Sequence, residues 1–265
     1  MKPFIVIAAA LPEEIKPLIK RLEGPITHQL EGFNFLQGQI DNKRVLLAIS
    51  GVGRNNSHIM TKILVKNFPL SLIISTGTAG ALQAHLQPGD IVVADQLFIS
   101  KSDDKKNCKA HDIVKKAVSV CQVEKALIQM SLKALEATQL RYIIGSFITV
   151  DMAITHISEK CTLGNNLNCL AVEMESSAIA KIAEDEGLAF LAIRSISDSM
   201  QDNIDKAIQL YEHLKDKRSI AKRLFYMLKS PQGSLQLLKL RNNSLKAAAS
   251  LEKFFLHFLS NVQIN

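Results

Sequence analysis

The chain has no cysteines at metal-ligand spacing. Cys108, Cys121, Cys161 and Cys169 are scattered, so neither a zinc site nor a disulfide framework is expected. No apolar stretch approaches the roughly 18 residues needed to cross a bilayer. The longest runs, FIVIAAAL and SLIISTGTAGAL, are strand-length and lead into turns. No signal-like segment with a basic start and a small-residue cleavage site opens the sequence, which fits a reducing cytoplasm. Internal repeats and low-complexity tracts are also lacking. What is present is 265 residues, 47% of them hydrophobic, enough for one large core without covalent staples.

The net charge of +7 points to an anionic partner only if the charge sits near a binding surface. Essentially all of the excess follows Ile204, where bases such as Lys206, Lys217, Arg218, Lys222, Arg223, Lys239 and Arg241 outnumber Asp205, Glu212, Asp216 and Glu252. This basic tail carries no nucleic-acid reading motif and the rest of the chain is not basic, so nucleic acid is not an expected partner.

Short runs rich in Val, Ile and Leu predict buried strands at Phe4–Ala9, Val45–Ser50, Leu72–Thr76, Ile91–Ala94, Ile143–Val150, Cys169–Val172 and Phe190–Ile196. Such uniformly apolar strands need cover on both faces, and helical patterns at Pro12–Leu22, Asn55–Asn67, Ile113–Thr138 and Glu175–Glu186 supply it. Phe33–Val45 alternates and contains Asp41-Asn42, which predicts an antiparallel hairpin at an edge. The expected fold class is α/β, with a mixed central sheet between helices. After about Met200 the strand signal stops. Residues 1–200 are therefore expected to form the α/β domain. Residues 201–265 are expected to form a helical appendage with a helix over Lys217–Lys229, a break at Ser230-Pro231-Gln232-Gly233 and two further helical stretches.

Polar groups gather at the ends of these strands, where open α/β sheets bind ligands. Leu11-Pro12-Glu13-Glu14 follows the first strand, although proline and carboxylates are also ordinary at a helix start. Ser75-Thr76-Gly77-Thr78-Ala79-Gly80-Ala81 reads as a strand running into a small-residue turn whose N–H groups can approach an anion or a sugar; it lacks a P-loop ending and the dinucleotide fingerprint. Val172-Glu173-Met174-Glu175 and Arg194-Ser195-Ile196-Ser197-Asp198 each close an apolar strand with charges that are costly to bury unless paired or used. Helix capping accounts for some of them, but an arginine inside an apolar strand is harder to explain that way.

These motifs, together with the strand entry Pro88-Gly89-Asp90-Ile91-Val92-Val93, resemble the nucleoside phosphorylase superfamily over about residues 3–200. The similarity is to the branch containing methylthioadenosine/S-adenosylhomocysteine nucleosidase. The resemblance implies a three-layer α/β/α sandwich, a homo-oligomer, a purine nucleoside as small-molecule substrate, and neither metal nor organic cofactor. It also assigns roles. Asp198 protonates the departing purine, Glu175 grips the ribose hydroxyls with Met174 against the sugar, and Glu14 orients or deprotonates water. Thr78 and Arg194 help hold that nucleophile, and Ala79, Ile154 and Glu173 complete the substrate-binding set.

Two departures bear on the substrate. Where the nucleosidase pattern has an aromatic residue stacking on adenine, Val150-Asp151-Met152-Ala153-Ile154 places Ala153, so stacking must come from elsewhere, for example Phe147 or Ile154. Lys101–His111 lacks the longer aromatic loop that closes a thioether pocket. The tail, with Leu228-Lys229-Ser230-Pro231 and Leu237-Leu238-Lys239-Leu240-Arg241, resembles the hopanoid-associated phosphorylases, which implies an adenosylhopane-like substrate and peripheral contact of the basic tail with a membrane. Ala9-Ala10-Leu11-Pro12-Glu13-Glu14 stands where phosphorylases carry a phosphate-binding loop, which favours water as nucleophile, although Arg54 remains within range of a phosphate reading. Phosphorolysis, a methylthioadenosine-type substrate and a non-catalytic nucleoside-binding protein all stay open at this level.

Overall fold

The computed structural model describes residues 2–100, 109–215 and 229–262. Its strands are β1 (Phe4–Ala9), β2 (Glu23–Leu30), β3 (Phe33–Ile40), β4 (Lys43–Ile49), β5 (Leu70–Ala81), β6 (Ile91–Ser100), β7 (Ala117–Gln122), β8 (Tyr142–Thr149), β9 (Ala171–Glu173) and β10 (Ala189–Asp198). Between and after them run α1 (Pro12–Ile19), α2 (Arg54–Asn67), α3 (Ala110–Lys115), α4 (Lys125–Glu136), α5 (Ile157–Leu167), α6 (Ser176–Asp185), α7 (Asp205–Lys215) and α8 (Pro231–Asn261).

The strands form one mixed sheet in the order β10-β6-β8-β9-β5-β1-β4-β3-β2, with β7 added to β6. β10 also pairs with β5 in parallel, so β5, β9, β8, β6 and β10 close on themselves into a ring. Parallel pairings of β1 with β4 and β5 continue the sheet outward from that ring. Every residue of β1 is buried, as its uniformly apolar sequence requires. The Asp41-Asn42 hairpin forms as expected, both residues having positive φ as a type I′ turn demands. It does not lie at the edge, because β2 pairs outside β3.

The helical reading of Ile113–Thr138 is corrected at its centre. Ala117–Gln122 instead pairs antiparallel with β6 as β7, and its alternating Val118 and Val120 suit a strand. The Ser75–Ala81 segment is also corrected, since β5 runs without a turn through all of it. The break expected at Ser230–Gly233 is a helix start: Ser230 caps α8 and Pro231 takes the first helical position. α8 is one 31-residue helix rather than two stretches. Its second half buries Leu251, Phe254, Phe255, Phe258 and Leu259 in the main core. Along its length the helix packs on α1, α4, α7 and β10. Full burial of each such side chain contributes about 1.5–3 kcal/mol. The helix expected over Lys217–Lys229 and the Lys101–His111 segment, read as lacking a longer aromatic loop, fall largely outside the described residues. Among the described residues, no helix is long and apolar enough to cross a membrane.

Candidate active site

A cleft of about 180 Å³ opens at the ends of β1, β5, β8, β9 and β10. Glu14, Thr78, Ala79, Ile154, Glu173, Met174, Glu175 and Asp198 all line it. The topology explains the convergence. β5 pairs with β1, β9 and β10, so the residues that follow or end those strands are delivered around one point.

Glu14 sits in the first turn of α1 and folds back over the end of β1. One carboxylate oxygen accepts from the backbone N–H groups of Ala10 and Leu11, both at 3.0 Å. The other accepts from the Thr78 N–H at 2.7 Å and its hydroxyl at 3.1 Å. The Thr78 N–H, in a segment expected to approach an anion or a sugar, thus meets a carboxylate of the protein itself. The glycines provide clearance. Gly77 has φ +142°, and a Cβ there would lie 2.6 Å from a Glu14 oxygen; one on Gly80 would lie 3.1 Å from an Asp198 oxygen.

Glu173 and Glu175 flank Met174 but have different surroundings. Glu173 Oε2 accepts from the Glu175 and Ser176 N–H groups at 2.9 and 2.8 Å and from Arg194 Nη2 at 2.7 Å, while Oε1 takes the Thr149 hydroxyl. Burial alone would raise its pKa, but the Arg194 guanidinium, the Thr149 hydroxyl and these N–H groups outweigh burial and hold it below the ordinary carboxyl value. Glu175 caps α6 and accepts one hydrogen bond, from Gly53 N–H at 2.8 Å. Burial, followed by the charge of Glu173, pushes its carboxyl up to about 7 against the partial relief of Arg194. Arg194 Nη2 stands 3.9 Å from Glu175.

Arg194 itself does not line the cleft. It is 1% exposed and spends its guanidinium on Glu173 and on the Ser75 and Ser176 hydroxyls, beneath the carboxylates. Arg194 was expected to help hold the nucleophile; the groups that make a buried guanidinium tolerable also occupy it, so it reaches the cleft only through the carboxylates above it. Arg54 is likewise committed. It forks onto Asp151, with Nε at 2.7 Å and Nη2 in contact, and so ties α2 to the loop carrying Met152, Ala153 and Ile154. Of the two stacking substitutes expected for Ala153, Ile154 lines the cleft and Phe147 is wholly inside the core.

Asp198 ends β10. Its Oδ1 accepts the Ser197 hydroxyl at 2.8 Å, and its Oδ2 pairs with Lys160. The sequence reading missed Lys160, a fully buried residue of α5. Lys160 shares the buried face of that helix with Leu163 and Gly164, and no motif in the sequence marked it.

The ring of strands and the acidic cleft at its mouth define an α/β protein that brings carboxylates to bear on a small ligand. The chain belongs to the phosphorylase superfamily, whose family model matches residues 4–230. The 5′-methylthioadenosine/S-adenosylhomocysteine nucleosidase of Staphylococcus carnosus is 27% identical over 195 residues, covering 73% of this chain and 86% of that protein. In fold, the chain is similar to the nucleosidase of the same name from Neisseria meningitidis in complex with methylthio-immucillin-A, with a TM-score of 0.76 at 20% identity over 98% of this chain and 100% of that one. It is also similar to futalosine hydrolase of Helicobacter pylori, with a TM-score of 0.75 at 21% identity over 98% of each chain.

Proposed function

We propose that this protein hydrolyses the N-glycosidic bond of a 5′-substituted 5′-deoxyadenosine and releases adenine. The observation that carries the reading is the convergence of Glu14, Glu173, Glu175 and Asp198 on one cleft whose described lining contains no lysine or arginine. Purine loss from ribose passes through an oxocarbenium-like state, which such a site stabilises. As the C1′–N bond breaks, its electron pair goes to the purine, and Asp198 delivers a proton to a purine ring nitrogen. Glu175, in its ionised form, grips the ribose hydroxyls against the positive charge growing on the sugar. Glu14, oriented by Thr78, takes the proton of the water that adds to C1′. An acidic lining disfavours phosphate as nucleophile, and Arg54 is already occupied by Asp151.

On the sugar side, Leu11 and Val52 stand exposed on the cleft lining, which supports an apolar 5′ substituent of the adenosylhopane type. The basic tail would then approach the membrane that holds such a lipid, and the working unit would be a homo-oligomer. The relatives named above favour a second reading, a methylthioadenosine/S-adenosylhomocysteine nucleosidase. Adenine release measured on methylthioadenosine, S-adenosylhomocysteine and a lipid-tailed adenosine, with and without phosphate, separates these. Turnover without phosphate is expected, fastest on the lipid-tailed substrate; inactivity on all three would end the proposal.

A further inference from the structure

Lys160 has no part in the chemistry above, yet its ammonium reaches the proposed proton donor. It makes contact with Asp198 Oδ2 and donates to the carbonyls of Ser199 and Asp202 at 3.0 and 3.1 Å. An ammonium has three donors, and here all of them are directed. The two carbonyls hold the nitrogen in place whichever way Asp198 turns. The carboxyl has little freedom of its own, with Ser197 on its second oxygen and Gly80 closing over it.

We propose that Lys160 is a positioning residue for proton delivery by Asp198, an inference that rests on the nucleosidase reading. When Asp198 gives up its proton to the purine, a negative charge is left on the carboxylate. That charge develops beside a fixed and fully buried ammonium, and preorganised charge of this kind needs no reorganisation as the proton leaves. Lys160 stays protonated throughout, so the proton gained by the base is the one lost by Asp198. The same ammonium on Oδ2, with the Ser197 hydroxyl on Oδ1, fixes the rotation of the carboxyl that lines the cleft.

The test compares two leaving groups in the full chain. Adenine must be protonated to depart, whereas 4-nitrophenolate departs without a proton. On a 5′-substituted adenosine, Lys160→Met is expected to lower kcat about 100-fold or more with little change in KM. On the 4-nitrophenyl glycoside of the same sugar the loss should stay within about 5-fold, and Lys160→Arg should recover much of the adenine rate. If the methionine variant fails to fold, Lys160→Gln, which keeps a donor for the carbonyls and drops the charge, carries the same comparison. Equal losses on both substrates in a folded variant, or undiminished adenine release, would overturn the proposal. Wild-type protein that cleaves no nucleoside would instead remove the nucleosidase reading on which it stands.

Discussion

The two ends of the cleft hold their carboxylates by different means. At one end Glu14 and Glu175 are kept by hydrogen bonds from backbone N–H groups and a hydroxyl, and the nearest full positive charge, Arg194, is spent chiefly on Glu173. At the other end Asp198 has a buried ammonium in direct contact. The difference teaches that residue type does not fix a carboxyl's task. Burial and the neighbouring Glu173 charge raise Glu175 to about 7, whereas Asp198 has a fixed ammonium against one of its oxygens.

The largest test of this contrast is Asp198→Asn, which keeps the shape of the acid and removes its proton. It should lower kcat for adenine release by about 10²–10⁴ while adenine still binds, measured by steady-state kinetics and calorimetry. Unchanged turnover would erase the distinction between the two ends. Next comes Arg194→Met, which leaves Glu173 buried and uncompensated. Urea denaturation should show a loss of about 3–5 kcal/mol. Stability within experimental error of wild type would mean that the arginine is not what makes the glutamate pair tolerable.

A smaller effect is expected from pH. The folded-state value of Glu175 is raised from 4.5 to about 7, so its neutral form favours folding. That contribution is present below the ordinary carboxyl value and is lost as pH rises through about 7. Activity moves the opposite way, because the ionised form grips the sugar. kcat/KM should rise through pH about 7 in the wild type, and this limb should flatten in Glu175→Gln, whose rate is low throughout. A limb that survives the substitution would assign the titration to another group. The smallest effect is expected at Lys239, which reaches from α8 to Asp202 at 2.6 Å across largely open surface. Lys239→Met should cost less than about 1 kcal/mol on thermal or urea melting. A larger loss would tie the tail to the Asp198 end more tightly than the exposed pair indicates.

The apolar strands were legible because nothing else in the sequence is so uniformly apolar: β1 matches its expected bounds, and β4, β8 and β10 lie within a few residues of theirs. β2 and β7 were not legible, since both are largely exposed and owe their conformation to a neighbour's backbone rather than to a buried face. α5 was hidden by Gly164, Asn165 and Asn166, poor helix formers that lead to its left-handed cap at Asn168. At the site, the carboxylates stood out because each closes an apolar strand or starts a helix. Lys160 did not, because a helical lysine ordinarily belongs to a solvated face, and only the placement of α5 against the Ser199–Asp202 turn reveals its use. Gly77 was noticed as a point of close approach, and what approaches it in the structure is the Glu14 carboxylate.

α8 sets an order on assembly. All the residues that surround the cleft are encoded before position 205, yet the bed they rest on stays open until Phe254, Phe255 and Phe258 arrive. A chain truncated at residue 250 would keep every cleft-lining residue and lose Leu251, Phe254, Phe255, Phe258 and Leu259 from its core, so the last aromatic turns serve as a latch on the support beneath those acids.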